Sequence, residues 1–325
     1  MRFALLAAFL LAGCAAQTSA PERAGAPAVP VAAQAIPLNP ADPAQQRIGA
    51  LRYLGGVHLT SADPRFGSLS ALRWKDGRLH AIIDEGGWAT FAPVERGGRL
   101  TGVRDAAIGK LHGPDGAPLE EKVLRDAEGL TRDGDGWLVS FERNHRVWAY
   151  RDLGAPATET RIDLAATFGE MGNNEGVEAI AGDRDRFFAC AERLAAAGPN
   201  CAIVERGAVT RISLTAPPEL DPKVAFPVDA DFGSDGTLYV LFRSWSGGMD
   251  SRGGIVARSP DGRMRTLGTL VQPLSTDNYE GLAVREQGGR TYLYVISDDN
   301  FDLRDNPTKD GPHQRTLLLK FEVTG

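Results

Sequence analysis

Acidic residues recur along this chain at a fixed spacing. Glu128 and Glu142 stand 14 residues apart, as do Glu178 and Glu192, and in both pairs an arginine, Arg143 or Arg193, follows the second acid. Ser70 precedes Asp84 and Asp229 precedes Arg243 by the same interval, while Glu280 precedes Asp298 and Asp299 across a longer one. Carboxylates held close together raise one another's pKa unless a cation lies among them. Oxygen donors from several segments suit Ca²⁺, which accepts about six to eight oxygens in flexible geometry. The pattern therefore nominates Glu128, Glu178, Asp229, Glu280, Asp298 and Asp299 as metal ligands, and Glu142 and Glu192 as acid–base groups. Arg143, Arg193 and Arg243 fit two roles, internal partners of these acids or clamps for a substrate's phosphate or carboxylate. His145, just past Arg143, is the histidine to test as an acid or base, with an ordinary loop role as its alternative.

The elements that position these residues are hairpins. In "DAEGLTRDGDGWLVSFER" (126–143), apolar runs flank the turn Asp133-Gly134-Asp135-Gly136, so the start of the first strand and the end of the second meet at one end. Related stretches begin near Ser70, Glu178, Asp229 and Glu280, a period of about 50 residues, and further short strand runs follow each. Four short antiparallel strands per repeat make a β-propeller blade. The length favours five blades, or six if the longer first interval hides a degenerate one. The strand "ALRYLGGVHL" precedes the first motif and is expected to complete the last blade and close the ring. No sustained helical stripe interrupts this all-β pattern. A plainer reading of the repeated charge is that polar residues on inner strands simply satisfy backbone groups and water in the channel.

The N-terminal "MRFALLAAFLLAGCAAQ" has the short apolar run of an export signal. "LAGC" resembles a lipobox, giving a signal peptide over 1–13 and lipidation at Cys14, with Ala15 favouring the outer membrane. The Ala- and Pro-rich residues 14–46 read as a flexible tether, and 47–325 as the folded domain. Cys190 and Cys201 lie on neighbouring strand-like runs and form either a disulfide or two buried thiols. The net charge of -6 argues against nucleic acid as the main partner. No G-x-S-x-G elbow, H-E-x-x-H zinc pattern or phosphate-cradling glycine loop occurs.

"DAEGLTRDGDGWLVSFER", "NNEGVEAIAGDRDRFFACAER" and "NYEGLAV…LYVISDDNF…QRTLLLKFEV" resemble the bacterial "esterase-like activity of phytase" family of exported propeller-like proteins, from about Gly67 to Val323. The resemblance implies hydrolysis of phosphoric or carboxylic esters, without an assigned nucleophile or base. It touches Glu128, Glu142, Arg143, Glu178, Glu192, Asp229, Arg243, Glu280, Asp298, Asp299 and Asn300, and Phe242 stands before Arg243 where the other hairpins are expected to have Glu. The expected protein is a periplasm-facing, lipid-anchored, Ca²⁺-dependent hydrolase of small phosphoesters. The alternatives are a carboxylester or lactone hydrolase on the same site and a non-catalytic envelope propeller that binds a protein or glycan.

Overall fold

The computed structural model describes residues 28–325 apart from 174, 184, 193–199, 246–250 and 302–313. Its strands, in chain order, begin with β1 (Ala32–Ile36), β2 (Arg47–Ile48) and β3 (Leu51–Thr60). Four sheets of consecutive strands follow: β4 (Leu69–Lys75), β5 (Arg78–Ile83), β6 (Gly87–Arg96) and β7 (Arg99–Lys110); β8 (Ala127–Asp133), β9 (Gly136–Phe141), β10 (Arg146–Tyr150) and β11 (Thr158–Glu159); β12 (Val177–Asp183), β13 (Arg186–Ala191), β14 (Cys201–Glu205) and β15 (Ala208–Ile212); β16 (Ala225–Phe232), β17 (Leu238–Trp245), β18 (Ser251–Arg258) and β19 (Met264–Leu270). The last sheet combines β20 (Tyr279–Gln287), β21 (Arg290–Ser297) and β22 (Thr316–Val323) with β3, which pairs antiparallel with β22. These are the five blades of a propeller, and the N-terminal strand closes the ring. The longer first interval holds no sixth blade: residues 111–126 form a loop with one helical turn, α1 (Lys122–Arg125). A second short helix, α2 (Leu164–Phe168), precedes the third blade, and no described helix is long and apolar enough to cross a membrane.

Alternation along each strand explains the layering. In β9, Trp137, Val139 and Phe141 pack into a core shared with the first blade, while Leu138 faces the other way into a core shared with the third. Every blade buries both faces in this manner, and the apolar clusters lie between successive blades. Trp137, 1% exposed, is among the largest of these side chains, and its truncation to alanine costs about 3–5 kcal/mol.

The ordered chain starts earlier than Arg47. β1 pairs with β3 from Ala32 opposite Thr60 to Ile36 opposite Gly56, Tyr53 donates its hydroxyl to the Ile36 carbonyl at 2.7 Å, and Leu38 is fully buried. A tether running to residue 46 is thus corrected. Composition hid the strand because its contribution is backbone pairing that covers the free edge of β3, to which side chains are nearly irrelevant.

The inner strands β4, β8, β12, β16 and β20 pack side by side around the axis. Each carries a bulge near the start of its hairpin, at Ser70, Glu128, Glu178, Val228 and Glu280. A bulge leaves one residue unpaired and re-aims it. The next residue is small in four blades, Ala71, Gly129, Ala179 and Gly281, and is Asp229 in the other. The space left at the axis holds Asp229 and Arg73, both fully buried and joined at 2.7 Å. Arg73 also donates to the carbonyls of Ile180 (2.5 Å), Ala230 (2.5 Å) and Leu282 (2.8 Å), while Asp229 accepts the N–H groups of Leu72, Ala230 and Leu282. Inner strands present unpaired backbone groups to the axis, and this pair satisfies them. The channel is plugged at that depth, leaving a cup above it.

Candidate functional site: a carboxylate cup

The cup is built from two positions per blade, the bulge and, on the second strand, the residue that follows the partner of the last residue before the bulge. Register defines the second position, because Ile83, Phe141, Ala191, Phe242 and Ser297 are equivalent partners of the inner strands. The blades accordingly contribute Ser70 with Asp84, Glu128 with Glu142, Glu178 with Glu192, Val228 with Arg243, and Glu280 with Asp298. The fourth blade departs from the pattern through Arg243 itself, which occupies the carboxylate position; Phe242 is equivalent to Phe141 and Ala191, contrary to the alignment expected from sequence.

Oxygens of Asp126, Glu128 and Glu142 lie within 4.8 Å of one another, and so do those of Glu142, Glu178 and Glu192. Glu142 belongs to both groups. Burial pushes Glu128 well above the ordinary carboxylate range, and Glu178, Asp84, Asp126 and Glu142 add to the effect. Burial does the same to Glu178, with Glu280, Glu192 and Glu142 reinforcing it against Arg243. Glu280 is raised to about 7 by burial, with Arg243 opposing. Asp298 is raised by burial and by Asp84 and Glu280. Glu142 is raised by burial while it accepts the Gly176 N–H at 3.2 Å. Glu178 Oε2 and Asp84 Oδ1 are buried without a hydrogen-bond partner.

Cations line the same face. Arg243 Nη1 meets Glu280 Oε1 at 2.5 Å and Asn278 Oδ1 at 2.7 Å. Arg143 donates from Nε to Asp126, which also receives Lys122 at 2.5 Å. Asp126, Lys122 and Asn278 were not singled out by sequence, although Asp126 and Asn278 each stand two residues before a bulge glutamate, a recurrence that would have disclosed them.

Residues 64–301 match the Phytase-like family, described as "Esterase-like activity of phytase". The chain belongs to this family. That membership makes it a hydrolase-type propeller. No curated protein sequence matches it. Among solved structures, it is similar to an α-L-arabinofuranosidase from Clostridium thermocellum at 12% identity and a TM-score of 0.43, covering 79% of this chain and 90% of that one. An α-L-arabinofuranosidase from Podospora anserina, solved with cellotriose, shares 9% identity at a TM-score of 0.46 over 85% of this chain and 97% of its own.

Within this family member, Glu128, Glu142, Glu178, Glu192, Glu280, Asp298, Arg143 and Arg243 all reach the cup face. Four expected site residues fall elsewhere or outside the described residues. Asp229 sits one residue beyond its bulge, so it turns to the axis and is occupied by Arg73; burial raises it to about 6 against the pull of Arg73, which leaves it ionised at neutral pH. Its assignment as a metal ligand is therefore corrected. Asp299 is likewise committed to structure, accepting from Ser68 N (2.8 Å), Phe301 N (3.1 Å) and the Thr316 hydroxyl (2.9 Å). Arg193 and Cys14 lie outside the described residues. His145 Nε2 faces the Gly172 carbonyl at 2.9 Å, an arrangement that requires Nε2 to carry the proton. Cys190 and Cys201, directly opposite on β13 and β14, are joined by a disulfide. It closes the base of the connection that begins with Glu192.

Proposed function

We propose that this protein is a Ca²⁺-dependent hydrolase of phosphoesters, working in the carboxylate cup and held in the periplasm by lipid on Cys14. The observation that carries the reading is the pair of overlapping carboxylate groups sharing Glu142, beside a Glu178 oxygen buried with no partner. A buried carboxylate oxygen without a donor is costly, and several together demand protons or a cation. Glu128, Glu142, Glu178, Glu192 and Asp126 would hold the ion, and their all-oxygen chemistry fits Ca²⁺ better than a nitrogen- or sulfur-preferring metal. When bound, Ca²⁺ would supply Lewis-acid polarisation of the phosphoryl group and offset the charge that otherwise repels an anionic substrate.

The chain's own residues supply the rest. Glu142 accepts one backbone N–H and burial raises its proton affinity, and a carboxylate oxygen not given to the ion could take the proton of attacking water. Glu192 stands beside it for the same duty. Arg243, anchored by Glu280 and Asn278, presents a cation whose side chain is 23% exposed, and Arg143 presents another from the Asp126 side. Such anchored guanidinium groups stabilise developing negative charge without reorganisation.

Carboxylester or lactone hydrolysis at the same cup is the second reading. It is favoured by the pairing of Arg143 with Asp126 and of Arg243 with Glu280, since a neutral ester has less need of unpaired cations. Phosphate release from inositol hexakisphosphate and nitrophenyl phosphate, alongside nitrophenyl acetate hydrolysis, with and without EDTA, separates the two. EDTA-sensitive phosphate release is expected; ester cleavage alone would transfer the assignment to the second reading, and neither activity would remove both.

A further inference from the structure

We infer that the buried Arg73–Asp229 pair is the positioning device of the cup, setting the height and spacing of the bulge glutamates Glu178 and Glu280. Neither residue touches the cup itself. Their influence runs through backbone: Arg73 Nη2 holds the Ile180 carbonyl, two residues after Glu178, at 2.5 Å. The Leu282 carbonyl and N–H, two residues after Glu280, are held by Arg73 Nη1 at 2.8 Å and by Asp229 Oδ2 at 2.7 Å. Leu72, two residues after the Ser70 bulge, donates its N–H to the same oxygen at 3.2 Å.

A single ionic pair thus grips strands from the first, third, fourth and fifth blades at the same depth. The first residue beyond the bulge is Ala71, Ala179 or Gly281 in three of those strands, so side-chain packing there adds little to set their separation. A bulge is the locally disrupted part of its ladder. Its height is consequently set by the next fixed point along the strand, and in these blades that point is the ionic pair. The bulge carboxylates stand one step above this floor, and the floor's geometry is inherited by them. The fully buried guanidinium is suited to this because its planar fork addresses several acceptors in fixed directions, which a lysine ammonium does not reproduce.

The test compares the full-length protein with Arg73→Lys, with the charge-neutral double variant Arg73→Met/Asp229→Leu, and with Ile255→Ala. The last removes a fully buried side chain from the third strand of the fourth blade, away from the axis. Amide hydrogen exchange is read in peptides spanning 177–181 and 279–283, and Ca²⁺ affinity by calorimetry. The axial variants should speed exchange in both peptides beyond any change in Ile255→Ala, and should weaken Ca²⁺ binding about tenfold or more, as loss of supporting shells does at metal sites. Unchanged exchange in both peptides for a folded axial variant would overturn the inference. The affinity measurement rests on the cup being a cation site, whereas the exchange measurement does not. A wild-type protein that binds no Ca²⁺ would therefore remove the metal reading and leave the positioning decided by exchange. Should Arg73→Lys fail to fold, the double variant, which removes both charges of the pair and leaves Asp231 its contact with Arg132 at 3.7 Å, provides the comparison.

Discussion

Arg243 and Glu280 join the fourth blade to the fifth through a 2.5 Å contact at the cup, one from a second strand and the other from a bulge of an inner strand. Arg243 opposes the burial that lifts Glu280 to about 7. Removing the guanidinium by Arg243→Ala takes away the charge that opposes this rise, so Glu280 should hold its proton to higher pH and the loss of stability should grow as pH climbs above 7. Thermal unfolding at pH 7 should register that loss, and any activity limb set by Glu280 should move to higher pH. A variant as stable as the wild type would show that the pair contributes nothing net.

Added Ca²⁺ should raise the melting temperature by binding the native cup alone, by an amount that grows with the logarithm of its concentration. Glu142→Gln removes the ligand common to both carboxylate groups and should abolish most of the shift, whereas Asp299→Asn, which alters a residue engaged with Ser68 and Thr316, should retain it. Calorimetric scans with millimolar Ca²⁺ decide the matter, and an equal shift in wild type and Glu142→Gln would contradict the proposed ligands.

The raised carboxyls also predict how stability responds to pH without metal. Glu128, Glu178, Glu280 and Asp298 bind protons more tightly folded than unfolded. Their stabilising contribution is complete below their unfolded values near pH 4 and is lost as pH rises through the folded ones, about 7 for Glu280 and upward from the ordinary range for the others. EDTA-treated protein should therefore melt at a lower temperature at pH 8 than at pH 6, and Ca²⁺ should rescue more at pH 8. A melting temperature that climbs over that interval would contradict the assignment of burial as the dominant effect.

Reducing the Cys190–Cys201 disulfide should loosen the end of β13, beyond which Glu192 lies. The closed loop is short, with a sequence separation of 11, so the loss of stability should be about 2–3 kcal/mol. A Cys190→Ala/Cys201→Ala protein is expected to melt earlier and to bind Ca²⁺ more weakly. Retained affinity would mean that the disulfide does not position Glu192, whose N–H bonds to the Gly176 carbonyl at 2.9 Å.

Cys14→Ser should release the protein from the membrane fraction without changing its melting temperature. Equal partitioning of both forms into detergent would exclude lipid at this position.

Much of the cup was legible because a propeller repeats its chemistry at a constant interval. The 14-residue spacing located Glu128 with Glu142 and Glu178 with Glu192, since both pairs are fixed by one hairpin length. The same rule misplaced Asp229, because spacing alone does not reveal a bulge. The register places Val228 in that slot, and a shift of one residue turns a strand side chain from the cup toward the axis. Arg73 left no repeated trace at all. One residue serving several blades is invisible to a search for repeats, and only the burial of its charge among carbonyls from distant strands discloses it.

The direction of β1 has a consequence for how the molecule hangs. Ala32 lies opposite Thr60, and Leu59 lies opposite Thr316, so the chain enters the fold at the rim where the cup opens. Cys14 precedes Ala28 by 14 residues, which even fully stretched reach no more than about 50 Å. A domain moored by lipid at Cys14 would be suspended from its open end, with the rim of the cup held within that reach of the bilayer.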